Sequence, residues 1–382
     1  MAGSQFGKIF HISTFGESHG KALGVVVDGC PAGLSLSEED IQEMLERRRP
    51  GKNLKMTQRK EGDKVEILSG IFEGKTTGTS IAMVVWNEDQ RSKDYGEIAH
   101  AFRPGHADYG FFAKYGFRDY RGGGRSSGRE TIARVAAGAI AKKMLLELGV
   151  SVRAKVIELA GISLTENRQK AELLAEQKIL SLREQGDSAG GVVECLVEGL
   201  PAGIGEPVFD KLDASLAKAV MSIGAVKSVE IGDGIEVSKS LGSENNDAFF
   251  LMEENDYESE EKERDAAGKD SCPHSLLEGT TSFEGKLKKG SNHSGGILGG
   301  MSDGSTIRLR AGFKPTPSIS KPQQTVNEAG EEITIAIKGR HDPTVVERAN
   351  VVVEAMTALT VLDAMLENLS TRLDYVKRAY RR

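Results

Sequence analysis

The segment Val27-Asp28-Gly29-Cys30-Pro31-Ala32-Gly33-Leu34 returns as Val197-Glu198-Gly199-Leu200-Pro201-Ala202-Gly203-Ile204, at a spacing of 197 − 27 = 170. Each copy follows an apolar run and precedes a helical pattern, so both read as strand, Pro-Ala-Gly turn and helix. A second echo pairs Ser69-Gly70-Ile71-Phe72 and Gly78-Thr79-Ser80-Ile81 with Ser294-Gly295-Gly296-Ile297-Leu298 and Gly304-Ser305-Thr306-Ile307. A third sets the helix around Arg134 against that around Arg348, at 348 − 134 = 214, so the spacing has grown by 214 − 170 = 44. That growth predicts an insertion, and the acidic run Glu253 to Lys269, within 250–272, has too few apolar residues to pack. It reads as a mobile surface loop. Two similar halves, about 1–150 and 185–366, imply one pseudo-twofold sheet-and-helix domain over 1–382 rather than two independent domains.

Within that frame, Phe6 to Ser13, Leu23 to Asp28, Lys64 to Leu68, Ser80 to Trp86, Ser151 to Ile162 and Gly191 to Glu198 read as strands. Ser37 caps a helix with Ile41, Met44 and Leu45 on one face, ending in Arg47-Arg48-Arg49-Pro50-Gly51. Three adjacent arginines exceed what a helix dipole needs. Thr165 to Arg183 reads as an amphipathic helix, and Thr344 to Leu366 as a long one with Asp342 as N-cap before Pro343.

The stretch Arg118-Asp119-Tyr120-Arg121-Gly122-Gly123-Gly124-Arg125-Ser126-Ser127-Gly128-Arg129-Glu130-Thr131 runs into an alanine-rich helix, Ile132 to Leu146. Glycines let backbone approach an anion, serines offer hydroxyls, and a helix start presents free N–H groups. The spacing is neither that of a P-loop nor that of a dinucleotide turn. Gly-Arg segments also bind RNA, but a net charge of −6 and an aromatic content of 5% oppose that reading. Cys30, Cys195 and Cys272 are far apart and show no metal spacing, so neither a disulfide framework nor a metal site is expected. The first twenty residues hold no apolar leader, and no uninterrupted apolar run reaches about eighteen residues. The expectation is a cytoplasmic protein engaging neither membrane nor nucleic acid.

His19 in Phe15-Gly16-Glu17-Ser18-His19-Gly20 and His106 in Arg103-Pro104-Gly105-His106-Ala107-Asp108 stand in glycine-bracketed turns. With Lys314-Pro315-Thr316-Pro317-Ser318, Gly339-Arg340-His341-Asp342-Pro343 and the arginine turns, they suit an anionic small molecule bearing phosphate and carboxylate. Histidines move protons near neutral pH. From residue chemistry alone, the reading is acid/base chemistry on a phosphorylated acid.

Gly16 to Gly20, Arg103 to Asp108, Arg121 to Ala141 and Gly339 to Pro343 together resemble the signatures of chorismate synthases, in unbroken order from about Phe6 to Leu366. The resemblance implies an α+β fold, a β-α-β sandwich with an internal pseudo-twofold repeat, assembled as a homotetramer. It implies conversion of 5-enolpyruvylshikimate 3-phosphate to chorismate and phosphate by anti 1,4-elimination, the last step of the shikimate pathway, with reduced FMN and no net redox. Carried over by position, flavin contacts fall on Arg125, Ser126, Ser127, Gly224, Ala225, Gly299, the Lys314 to Ser318 turn (Pro315, Thr316 and Pro317 included) and Arg340. Substrate contacts fall on His19, Arg49, Arg103, Arg129 and Arg340, and Arg48 takes the position linked to NADPH, a possible reductant. Proton roles fall on His19 for the leaving phosphate, His106 for the reduced flavin and Asp342 for the C6 proton.

Two departures stand out: Gly224 replaces a frequent asparagine, and Lys52-Asn53-Leu54-Lys55 lacks a further arginine. The alternative within flavin chemistry is an oxidoreductase on a phosphorylated acid, in which FMN reduces the substrate.

Overall fold

The computed structural model describes residues 3–49, 62–87, 99–251, 287–337 and 342–381. The first sheet comprises β1 (Gln5–Phe6), β2 (His11–Gly16), β3 (Ala22–Asp28), β4 (Val65–Ile67) and β5 (Ile81–Trp86), in the order β1-β2-β3-β5-β4. The second comprises β6 (Ser151–Leu159), β7 (Ile162–Ser163), β8 (Gly191–Glu198), β9 (Val226–Ile231) and β10 (Ile307–Phe313), in the order β9-β10-β8-β6-β7. Without the two-residue strands β1 and β7, both orders are first, second, fourth, third. The strand matching β2 is therefore β6, so the second unit starts at Ser151, ahead of the expected 185.

Six helices concern the core and the site: α1 (Glu38–Arg48), α2 (Asp108–Tyr115), α3 (Thr131–Glu147), α4 (Arg168–Glu184), α5 (Leu212–Met221) and α6 (Val346–Asn368). Helices α1 and α3 pack on the first sheet, α5 and α6 on the second, and α3 meets α6 between them. The alanine-rich sequence of α3 explains the closeness of that meeting: a Cβ on Gly138 would lie 2.4 Å from Ala355 Cβ. Helix α6 is long and apolar enough to cross a membrane, yet 83% of its apolar window is buried inside the sandwich. Covered from all sides, it needs no polar face. Its most deeply buried carboxylate, Glu354, accepts both Arg47 Nη1 and Nη2 (2.7 and 2.8 Å), Lys142 Nζ, and the Ala154 backbone N–H at 3.0 Å. Burial pushes the Glu354 carboxyl up, but Arg47 and Lys142 outweigh it and hold the carboxyl below its ordinary value.

The repeated Pro-Ala-Gly turns occupy the same place in both halves. Gly33 N donates to Thr76 O and Gly203 N to Ser302 O, at 2.8 and 2.7 Å. Thr76 Oγ1 accepts from Leu34 N and donates to Pro31 O; Ser302 Oγ accepts from Ile204 N and donates to Pro201 O. Glycine is required before each proline, because a Cβ would lie 1.8 Å from Ile9 O at Gly29 and 2.4 Å from Gly149 O at Gly199.

Two local readings change. The strand expected over Phe6 to Ser13 is broken, because the backbone N–H groups of Lys8, Ile9 and Phe10 turn away from the sheet to the Asp363 carboxylate at 2.8–2.9 Å. Helix α6 begins at Val346 with Val345 as its N-cap, not after Asp342. Asp342 instead accepts from Arg348 Nη1 at 2.5 Å, a charge pair that competes successfully with capping. The expected loop at 250–272 beyond Leu251, Cys272, Lys52 to Lys55, and Arg340 with His341 lie outside the described residues.

Candidate active site

Helix α3 is approached through two tight 3-10 turns, Gly124–Ser126 and Gly128–Glu130, and the triple glycine before them lies entirely in the left-handed region. The reason is visible in what the glycines face. A Cβ on Gly122 would lie 2.5 Å from His19 Cε1 and Nδ1, and one on Gly123 would lie 2.9 Å from His106 Cε1 and 3.1 Å from its Nε2. Two histidines 87 positions apart thus lie against neighbouring peptide units. Arg125 ties this segment to the end of β2, donating from Nη1 to Gly16 O at 3.1 Å and from Nη2 to Thr14 Oγ1 at 2.5 Å. Ser126 Oγ donates to Gly123 O at 2.7 Å, and Ser127 Oγ accepts from Arg129 N at 3.3 Å. A cavity of about 140 Å³ lies alongside, lined by Glu17, Asp108, Arg118, Asp119 and Gly123 to Ser126 among others.

His106 is oriented by charge. Its Nδ1 lies 2.9 Å from Asp108 Oδ1, and Asp108 is gripped by Arg103 through Nε and Nη2 at 2.6 and 2.8 Å. Burial pushes the Asp108 carboxyl up, but Arg103 and then His106 reverse this and hold it well below the usual carboxylate range. Arg103 Nη2 also lies 3.1 Å from Nδ1, so one edge of the ring is held by both partners while Nε2 faces Gly123. Arg103 is 6% exposed, so its guanidinium is occupied in orienting this pair.

The three arginines ending α1 diverge, as consecutive helical positions must. Arg47 turns to Glu354, Arg49 to Glu46 at 3.3 Å, and Arg48, 1% exposed, to Asp63 Oδ2 at 2.7 Å and Thr131 Oγ1 at 3.0 Å. Arg48 therefore sits beneath the site, not at a surface open to a dinucleotide. The other oxygen of Asp63 accepts from Arg129 Nη1 at 2.9 Å, and Arg129 Nε donates to Asn87 Oδ1 at 2.9 Å.

The second half closes the circle. Lys314 Nζ donates to Gly105 O at 2.6 Å and Lys314 N to Ala225 O at 2.9 Å, so Gly224 and Ala225 abut the Lys314 to Ser318 turn. A Cβ on Gly105 would lie 3.2 Å from Pro317 Cβ, and Thr316 Oγ1 donates to Asp342 O at 3.0 Å. Arg348 joins Asp342 to the Arg48 carbonyl, its Nε lying 3.3 Å from Arg48 O. A closed ring of contacts runs from the His19 turn through Asn87, Arg129, Asp63, Arg48, Arg348, Asp342, the Lys314 turn, Gly105 with its neighbour His106, and the glycines back to His19. Gly299 is outside it. It turns the hairpin between Ile297–Leu298 and Met301–Ser302, whose neighbour Gly300 packs on Glu206 and Lys211, at the start of α5.

A family model described as chorismate synthase matches residues 10–366. The chain belongs to the chorismate synthase family. It is 56% identical to a chorismate synthase of Lachnoclostridium phytofermentans, with all of both chains covered. It is 51% identical to one of Methanosarcina mazei, over 96% of this chain and 97% of that one. A solved chorismate synthase structure superposes with a TM-score of 0.70 at 29% identity, covering 98% of this chain and 97% of the other. The chain is accordingly a lyase of the shikimate pathway, and its sandwich is the fold of that family.

Asp63 and Asn87 complete this ring of contacts and were not distinguishable in sequence. Asp63 looked like one more charge in Glu61-Gly62-Asp63-Lys64; in the fold its side chain is fully buried and its φ is +42°. Asn87 looked like an ordinary residue after a strand. The signal was position alone, since each stands within two residues of a strand end.

Proposed function

We propose that this chain eliminates phosphate from 5-enolpyruvylshikimate 3-phosphate in the anti 1,4 sense to form chorismate, with reduced FMN bound and no net redox. The observation that carries this reading is the seating of His19 and His106 on the neighbouring glycines Gly122 and Gly123. Two imidazoles resting on adjacent residues, near Arg125, Arg129 and Lys314, suit a reaction that expels a phosphate dianion.

The residues present fit a phosphate-bearing flavin: cationic and hydroxyl-bearing turns, Arg125 to Ser127 and Lys314 to Ser318, converge at one end of the sandwich, where Gly123 and Gly124 border a cavity. Arg340, outside the described residues, belongs to the same proposed contact set. When bound, reduced flavin supplies electron density to the allylic system of the substrate. His19 donates a proton to the departing phosphate, Arg129 and Arg49 bind the anionic substrate, and Asp342, fixed by Arg348, assists removal of the C6 proton. His106, oriented by Asp108, faces the flavin. Arg103 and Arg48 act from beneath, holding Asp108 and Asp63. A homotetramer, a cytoplasmic location and NADPH as the source of reducing equivalents belong to the same proposal; Gly299 would then complete a flavin site from a neighbouring copy.

The test is an anaerobic assay with dithionite-reduced FMN, following chorismate absorbance and phosphate together. One phosphate per chorismate without net consumption of reductant is expected. Stoichiometric oxidation of reductant would instead make the chain an FMN-dependent oxidoreductase.

A further inference from the structure

Asn87 stands one residue past β5, and its backbone N–H donates to Lys21 O at 3.0 Å, so the sheet itself fixes its position. Its side chain then reaches in two directions. Nδ2 donates to Gly20 O at 2.7 Å and to Glu17 O at 3.0 Å, while Oδ1 accepts from Arg129 Nε at 2.9 Å. A carboxamide is the one side-chain group that presents two donors beside an acceptor in one plane. The two carbonyls bracket the turn that carries His19, which is closed by Gly20 N donating to Glu17 O at 3.1 Å. The guanidinium belongs to the segment that leads into α3.

We infer that Asn87 is a positioning residue that sets His19 against the Arg129 guanidinium, fixing the proton carrier relative to the anion-binding fork. This rests on the reading of His19 and Arg129 given above. The imidazole has little freedom to make up for a shifted turn, because it already lies against Gly122. A displacement of the turn is therefore passed on to the ring, and a misplacement of about 1 Å costs on the order of 100-fold in rate. Asn87→Asp separates the two directions. Aspartate keeps the shape and the acceptor for Arg129, but it replaces both donors with an oxygen facing the carbonyls of Glu17 and Gly20.

The experiment measures steady-state kinetics of the intact enzyme with reduced FMN and 5-enolpyruvylshikimate 3-phosphate for Asn87→Asp, His19→Ala and the double variant. Asn87→Asp should lower kcat by about 10- to 100-fold and leave KM within about threefold, since Arg129 keeps its partner. In the His19→Ala background the same substitution should lower kcat by less than about threefold, because the group it misplaces is already gone. Should Asn87→Asp fail to fold, Asn87→Ser retains a donor without adding charge and should show the same pattern at about 3- to 10-fold. Parental kcat in the variant, or a loss that multiplies fully with that of His19→Ala, overturns the inference while leaving the roles of His19 and Arg129 intact. Full turnover by His19→Ala alone removes the reading of His19 and this inference with it.

Discussion

The two ends of the sandwich differ in how far the halves agree. At one end, the turns after β3 and β8 match bond for bond, with Thr76 and Ser302 making the same four hydrogen bonds to Pro-Ala-Gly-Leu and Pro-Ala-Gly-Ile. At the other, the halves part company. Strands β2 and β3 are joined by the short turn at 17–21 that carries His19, whereas β6 and β8 are joined through 160–190, which includes β7 and α4. Strand β5 leads to Asn87, whereas β10 leads to the Lys314 turn. A pseudo-twofold site would present each group twice. Divergence at one end gives a site with one His19, one His106 and one Asp342, the asymmetry that the distinct proton roles proposed for them call for.

The largest test of that contrast is at the divergent end. His19→Ala and His106→Ala should each lower turnover by about 10²- to 10⁴-fold, checked by chorismate absorbance under anaerobic conditions. If His106 faces the flavin, only His106→Ala should alter the spectrum of bound reduced FMN. Near-parental rates in both would shift the chemistry to His341 and Asp342 and dissolve the contrast between the ends. Next comes the fork: Arg129→Lys keeps the charge but cannot reach Asp63 and Asn87 together, so substrate affinity should fall by about 10- to 100-fold, read from KM or direct binding. An unchanged affinity would remove Arg129 from the site.

The matched end makes the opposite prediction. Thr76→Val and Ser302→Ala each leave buried turn groups without their partner, so each should cost about 1–3 kcal/mol in denaturant unfolding, with kcat unaltered. Equal costs sharpen the comparison; a loss of turnover in either variant would break it.

The smallest effect is in pH. With its folded value depressed by Arg103 and His106, the Asp108 carboxylate contributes stability fully above its unfolded value of about 3.9 and loses it as pH falls toward the lower folded value. Asp108→Asn should therefore be less stable than the parent at neutral pH, and the gap should narrow below about pH 4, measured as unfolding midpoints against pH. A gap independent of pH would mean that shape, not charge, orients His106.

Legibility followed the range of the interaction. The Pro-Ala-Gly turns could be read because a glycine forced by a nearby carbonyl and a proline with fixed φ act within a few residues. His19, His106 and the triple glycine were readable as chemistry, although nothing local says that the rings rest on Gly122 and Gly123. Asp342 was misread as a helix cap because the competing partner, Arg348, becomes available only when the next turn of α6 has formed. The strand from Phe6 was overextended because Asp363, which takes three of its amides, lies more than 350 residues along the chain.

By itself, then, the sequence determined the repeat, the two classes of turn, the apolar surfaces of α3 and α6, and a set of cationic and histidine-bearing turns suited to a phosphorylated acid. Tertiary structure alone decided the destinations. It sent Arg47 to Glu354 and Arg48 to Asp63, buried Asp63 between Arg48 and Arg129, and set Asn87 between Arg129 and the His19 turn. The physical reason is that backbone preference and side-chain period are properties of neighbours in the chain. The partner of a charge or an amide is settled by which layers stack, and those layers bring together residues that the sequence keeps tens to hundreds of positions apart.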